Sequence, residues 1–181
     1  MPRTPNQAVP TTTTYIGIAF LTVDGLSTQV AVVLSDHVHF NIIRSCGMVI
    51  ESVNGWVESW RPNSPTAFEP YLILMGIITV AVVHKPASEI SNTIHSLGWN
   101  AQRARSSSNG DSLMHRYSED YVRRAILHLC QKRTIGLPLD ESNFDEFIMD
   151  SLVQIREKHA SKPMSYHVIS LVEDISGRTN F

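Results

Sequence analysis

Two cysteines, Cys46 and Cys130, are all that the 181 residues contain. They cannot build a disulfide framework, and so sparse a count fits a reducing, intracellular compartment with both thiols free and buried. Charge is scarce as well. Only 18% of residues are Asp, Glu, Lys or Arg, below the usual quarter. A surface this poor in charge favours contact with partners or with copies of itself. Gly-rich phosphate cradles of the GxxxxGK or GxGxxG kind are missing, and so is the GxSxG turn of serine hydrolases. No run reaches the roughly 20 apolar residues of a membrane helix. The longest, Tyr71–Val83, is thirteen residues long and almost unbroken, with Gly76 and Thr79 inside it. The opening MPRTPNQAVPTTTT has no apolar stretch before Tyr15, and Pro2 stands where myristoylation needs glycine. It reads as neither signal peptide nor lipid anchor. A soluble protein with at most peripheral membrane contact is expected.

What remains is apolar and patterned. Apolar residues make up 43% of the chain, enough for a real core, and the length suits one domain. Residues 1–13 hold three prolines and a threonine run, so they read as a flexible N-terminal arm ahead of a single domain over 14–181. Tyr15–Val23 and Ser27–Leu34 are β-branched runs separated by Asp24–Gly25, which predicts a hairpin. Ser35 or Asp36 then caps an expected helix over Phe40–Val53, with Ile42, Ile43, Cys46, Val49, Ile50 and Val53 as its apolar stripe. Gly47 weakens that helix and Gly55 ends it. Trp56 and Trp60 are four apart and share a face if the helix continues. Arg61–Pro70, with three prolines, is a loop. Tyr71–Val83 predicts a buried strand bent near Gly76, with a core helix as the competing reading.

Pro86-Ala-Ser-Glu starts a short helix with Ile90, Ile94 and Leu97 on one face. Residues 100–112 are small and polar, hence a mobile loop. Residues 121–132 fit a helix stripe through Val122, Ala125, Ile126 and Leu129 or a weaker strand alternation, and both stay open. The clearest helix is Asn143–His159, with Ser142 as N-cap, Asp145 at the third helical position, and Phe144, Phe147, Ile148, Leu152 and Ile155 facing the core. A closing strand over Ser165–Asp174 follows. The irregular alternation predicts an α+β fold, a single compact domain with a mixed or antiparallel sheet packed against helices.

Reactive groups give little. His37 and His39 would share a strand face, yet no cysteine or carboxylate stands at a familiar ligand spacing, so no metal is assigned. The adjacent acids Glu119 and Asp120 point apart on any regular element, and no nucleophile–base–orienter set is visible. No catalytic residue and no cofactor is assigned, and the chain is not read as an enzyme. The net charge of −2 is uneven. Residues 101–140 carry seven basic and four acidic groups. Arg103, Arg105, Arg116, Arg123, Arg124, Lys132 and Arg133 are therefore candidate contacts for an anionic partner, with Tyr117 and Tyr121 placed to stack on bases. An ordinary solvated face is the competing reading. Trp56, Trp60, Phe68 and Tyr71 are candidate core or self-association anchors.

One order of features carries a family resemblance. A strand through Val33 leads by Ser35 to a helix from Phe40 to Val53 closed by Trp56. Phe68 and Tyr71 follow, and then the apolar strand Leu72, Ile73, Leu74 and Gly76. This order resembles that of rhabdovirus matrix proteins, and the late helix–strand pair resembles the end of that fold. The resemblance implies a non-enzymatic virion structural protein. Such a protein would self-associate into a homo-oligomer or polymer, bridge the viral nucleocapsid and the envelope, and support virion assembly and budding from the host cytoplasm. It also implies that an arm such as residues 1–13, or the 100–112 loop, docks on a neighbouring copy. The sequence departs from many members of that family: it has no long basic N-terminus and no PPxY or PTAP motif. The alternatives are a nucleic-acid-binding accessory protein using the basic segment 101–133, and an enzyme of unrecognised type.

Overall fold

The computed structural model describes residues 12–22, 27–62, 72–101, 113–137, 139–163 and 166–171. The element order is β1 (Thr14–Thr22), β2 (Thr28–Ser35), β3 (Ile43–Ser52), β4 (Gly55–Pro62), β5 (Ile73–Val83), α1 (Ala87–His95), α2 (Leu113–Gln131), α3 (Phe144–Ser161) and β6 (His167–Ser170). The strands form one sheet in the order β4-β3-β2-β1-β5-β6. Every pairing is antiparallel except β5 with β6, which is parallel. The α+β class expected from the sequence, a mixed sheet against helices, is the observed one.

Alternation along the strands builds two apolar layers. Ile16, Ile18 and Phe20 of β1 join Val30, Val32 and Leu34 of β2 on one face, and all three helices pack there. Ala19, Leu21, Ala31, Val33, Cys46, Met48 and Ile77 form a second cluster on the other face. A sheet buried on both faces reads as near-continuous apolar runs, as the central strands do. Phe40 lies on this second layer, over Gly17, where a Cβ would come within 2.9 Å of its ring. Its backbone is left-handed, φ 52°. That conformation costs about 1–2 kcal/mol for a residue with a Cβ, and the near-complete burial of the ring offsets it.

The helix expected over Phe40–Val53 is instead a turn and the strand β3. Spacings of three, as in Ile43, Cys46 and Val49, also arise when a strand buries residues on both faces: Cys46 and Met48 enter one layer, Val49 the other. Ser35 therefore caps no helix. Its single hydroxyl proton points between the carbonyls of Ile42, at 2.8 Å, and His37, at 3.0 Å, and its oxygen accepts the His37 N–H, which ties the β2–β3 turn. Gly55 does not end a helix but opens β4 after the two-residue turn Val53–Asn54, with φ 103°. The bend expected near Gly76 is present: Phe20 faces Gly76 and Leu21 faces Leu74, which leaves Met75 as an extra residue in β5.

The helices settle the remaining alternatives. Residues 121–131 are helical, and Tyr121, Val122, Ala125, Ile126 and Leu129 are buried along one stripe. The helix closes with Arg133 N–H on the Cys130 carbonyl and Thr134 N–H on the Leu129 carbonyl. This is the Schellman arrangement, with Arg133 at φ 53° where glycine is usual. Ile90 and Ile94 anchor α1, each burial worth about 1.5–3 kcal/mol. In α3 the N-cap is Asn143, not Ser142, and it makes no side-chain cap bond. Ser142 is drawn off by Asp140, whose Oδ1 accepts both its N–H and its hydroxyl. These donors hold the Asp140 carboxyl below the usual range. The core residues of α3 are those expected, Phe144, Ile148, Leu152 and Ile155 buried and Phe147 partly so. The closing strand is shorter than expected among the described residues, His167–Ser170.

Candidate functional site

At one end of the sheet order, β4 is joined to β3 alone, and no described strand lies beyond it. The hairpin register pairs Ser52 with Gly55, then Ile50 with Val57 and Met48 with Ser59. In a two-residue hairpin the closing pair is hydrogen-bonded and the pairs alternate from there. Gly55, Val57, Ser59 and Arg61 therefore bond to β3, and the backbone groups of Trp56, Glu58 and Trp60 turn outward. Such an edge is a template for another strand unless it is blunted. The blunting here is slight. Pro62 removes one donor at the far end. Charge at the middle of the edge is withdrawn, because the Glu58 side chain turns in and is only 8% exposed. Val53 at the hairpin tip is fully exposed and Val57 is 39% exposed.

A polar and aromatic cluster holds this edge in place. Trp56, Glu58 and Trp60 alternate onto the helix-bearing face of β4. Glu58 Oε1 accepts from Trp60 Nε1 at 2.6 Å and from the Tyr121 hydroxyl at 3.1 Å. His95 Nδ1 lies 3.6 Å from Oε2. Gly47 makes the approach possible, since a Cβ there would sit 2.6 Å from both the Trp60 ring and the Tyr121 oxygen. Burial, more than the adjacent carboxylate, pushes the Tyr121 hydroxyl well above the usual tyrosine range. It is a permanent donor at neutral pH.

A second carboxylate sits one layer further in. Asp120, with its side chain 3% exposed, accepts from Arg123 at 2.6 Å, Arg124 Nε at 2.9 Å and Trp99 Nε1 at 3.1 Å. Arg123 also reaches Glu141 at 2.8 Å. Tyr117 links the aromatic set, with ring centroids 5.3 Å from Trp56 and 6.1 Å from Trp99, and Trp99 stands edge-on to Tyr121. Glu58 accepts from Tyr121 and so ties β4 to α2, while Asp120 accepts from Trp99 and so ties the stretch after α1 to α2. Cys46 is chemically quiet, with burial pushing its thiol up to about 12.

The residues singled out from the sequence scatter accordingly. Trp56 and Trp60 share a face, through strand alternation and not through a helix turn. Phe68, Tyr71, Arg103 and Arg105 lie outside the described residues, as do 1–11 of the arm and 102–112 of the loop. Arg123 is buried and Arg124 half-buried, both committed to Asp120. Arg116 lies over the Tyr117 ring, 5.6 Å from its centroid. Tyr117 and Tyr121 belong to the packed aromatic set, and Lys132 and Arg133 are exposed at the end of α2. Two buried carboxylates, Glu58 and Asp120, each held by its own aromatic donors, are functional candidates that the sequence reading did not single out. One signal for Glu58 was available: in Trp56-Val-Glu-Ser-Trp60 a period of two puts the acid on the same face as both tryptophans.

Among the described residues no helix is long and apolar enough to cross a membrane, and no three metal-ligating side chains gather. Comparison with known protein families, with curated proteins and with solved structures finds no match to the chain.

Proposed function

We propose that this chain is a non-enzymatic assembly protein that builds a homo-oligomer or polymer, in the manner of the viral matrix proteins its sequence order resembles. In that role it would bridge nucleocapsid and envelope from the cytoplasmic side and support budding. One observation supports the reading above others: β4 presents outward backbone groups at Trp56, Glu58 and Trp60 with exposed Val53 and Val57 beside them. Glu58 ties that edge to α2 through the Tyr121 hydroxyl. Strand addition at such an edge supplies main-chain hydrogen bonds, with alternate side chains giving specificity. If the contacting surfaces of two copies are unlike, the contact builds a ring where its rotation closes and an open polymer where it does not.

The nucleic-acid reading draws less support, because Arg123 and Arg124 are spent on Asp120. Light scattering across protein concentration and salt, with and without RNA, separates the two. Assembly that grows with concentration in the absence of RNA supports the assembly role. Growth only with RNA, falling steeply as salt rises, supports the other.

A further inference from the structure

The sheet has a gap at the start of β2. β3 pairs with β2 only over Val32–Ser35, and in an extended chain alternate residues turn their backbone groups to the same edge. Thr28 and Val30 therefore face the β3 side with no ladder partner among the described residues. Helix α2 fills the gap with side chains. Ser118 Oγ accepts the Val30 N–H at 3.3 Å and donates to the His115 carbonyl at 2.8 Å. His115 Nδ1 lies 2.5 Å from the Thr28 carbonyl oxygen. Its other nitrogen, Nε2, lies 3.1 Å from the Glu119 carboxylate one turn along.

Both of these partners are acceptors only. A neutral imidazole has one N–H and one lone pair, so it satisfies one of them; the imidazolium donates to both. We propose that His115 is a proton-operated latch, clasping the first turns of α2 to the open edge of β2 when protonated and letting go when it is not. Among the described residues, the charged groups that reach this place include Glu119 of α2, on the ring itself, and Arg156 of α3, on Thr28, with Arg116 next along α2. Arg156 donates to the Thr28 hydroxyl at 2.9 Å and opposes a second cation. Arg116 has its guanidinium over Tyr117. Glu119 favours the imidazolium and is in direct contact with it, and Coulomb energy falls with distance, so Glu119 dominates. The His115 side chain is only 18% exposed, which limits solvent screening.

Loss of the proton costs the ring one of its two contacts, at Thr28 or at Glu119, and so loosens the first turns of α2, which also carry the Ser118 hydroxyl that holds the Val30 N–H. The protonated ring is the one the fold binds. The latch is therefore held while the ring carries its proton and released once the proton is lost, so its contribution is present on the acid side and disappears as pH rises. This device does not depend on the assembly role. Its release would add a second open strand edge to that of β4.

Amide exchange and ring-nitrogen NMR on the full chain test it. Between about pH 5.5 and 8, corrected for intrinsic exchange, the Val30 amide loses about tenfold of its protection or more while α3 amides hold theirs. Both His115 nitrogens carry protons at the acid end. Glu119→Gln shifts the change to lower pH, and His115→Gln removes it. A neutral His115 ring at about pH 5.5, or Val30 protection that does not change, overturns the proposal; both readouts use the unmodified chain.

Discussion

Glu58 of β4 and Tyr121 of α2 stand 63 residues apart and meet at 3.1 Å, the tyrosine hydroxyl donating to Oε1. The same oxygen accepts from Trp60. One carboxylate thus joins the edge strand to the helix layer. Tyr121→Phe removes one of these donors and leaves the other, at a cost of about 1–1.5 kcal/mol. Glu58→Leu orphans both donors in a buried place and costs more, about 2–4 kcal/mol. Urea unfolding of the two variants checks the order. Equal losses would mean that the tyrosine bond carries all of the coupling.

Asp120 presents a sharper case. Asp120→Ala leaves Arg123, only 7% exposed, without its closest counter-charge. Breaking a buried pair from one side costs about 3–5 kcal/mol. Glu141→Ala removes the exposed partner of the same arginine and costs less than about 1 kcal/mol. Thermal melts of both variants test this asymmetry.

Arg133 closes α2 in the left-handed region while its side chain lies exposed. Arg133→Gly removes the Cβ penalty without removing packing, and is expected to raise stability by about 0.5–1 kcal/mol. A fall on denaturation would show that the guanidinium makes a contact that outweighs the backbone gain.

Cys46 gives an alkaline signature. Its thiol is raised from an ordinary 9.0 to about 12 by burial. An acid whose folded value is raised keeps its proton in the fold after the unfolded chain has lost it. Stability then falls as pH climbs from about 9 towards 12, by at most about 1.4 kcal/mol per pH unit from this group. Cys46→Ala flattens that part of the pH profile relative to the unmodified chain, and the slopes are the quantity to compare because the substitution also leaves a small void. Parallel slopes would contradict the assignment.

How far the sequence could be read follows from which signals are local. Thr14–Thr22, Thr28–Ser35 and Ile73–Val83 are strands because β-branched residues crowd them, and α3 follows from its apolar spacing and charged ends. The stretch 40–53 misled because a strand buried on both faces puts apolar residues at odd and even positions, so three-residue spacings mimic a helix. Gly47 then served a close approach, not a weak helix. Trp56 and Trp60 share a face under either reading, since four is both one helix turn and an even number of strand residues. The Asp120–Arg123 and Asp120–Arg124 pairs sit three and four residues apart on one helix and could be read from that spacing; the Glu58–Tyr121 and Asp120–Trp99 contacts join separate elements, and no spacing in the chain records which helix lies on which strand. Asp140 capturing Ser142 shows the same limit over two residues: a good cap loses its role to a nearer acceptor.

The most direct test of the assembly role is sedimentation velocity over a wide concentration range on the unmodified chain and on Val57→Lys. The substitution puts a charge beside the open edge of β4 and leaves the fold within about 0.5 kcal/mol, as an exposed position allows. The account predicts that the unmodified chain grows into oligomers as concentration rises and that Val57→Lys stays monomeric under the same conditions. An unmodified chain that remains monomeric throughout, or a variant that assembles equally well, would contradict it.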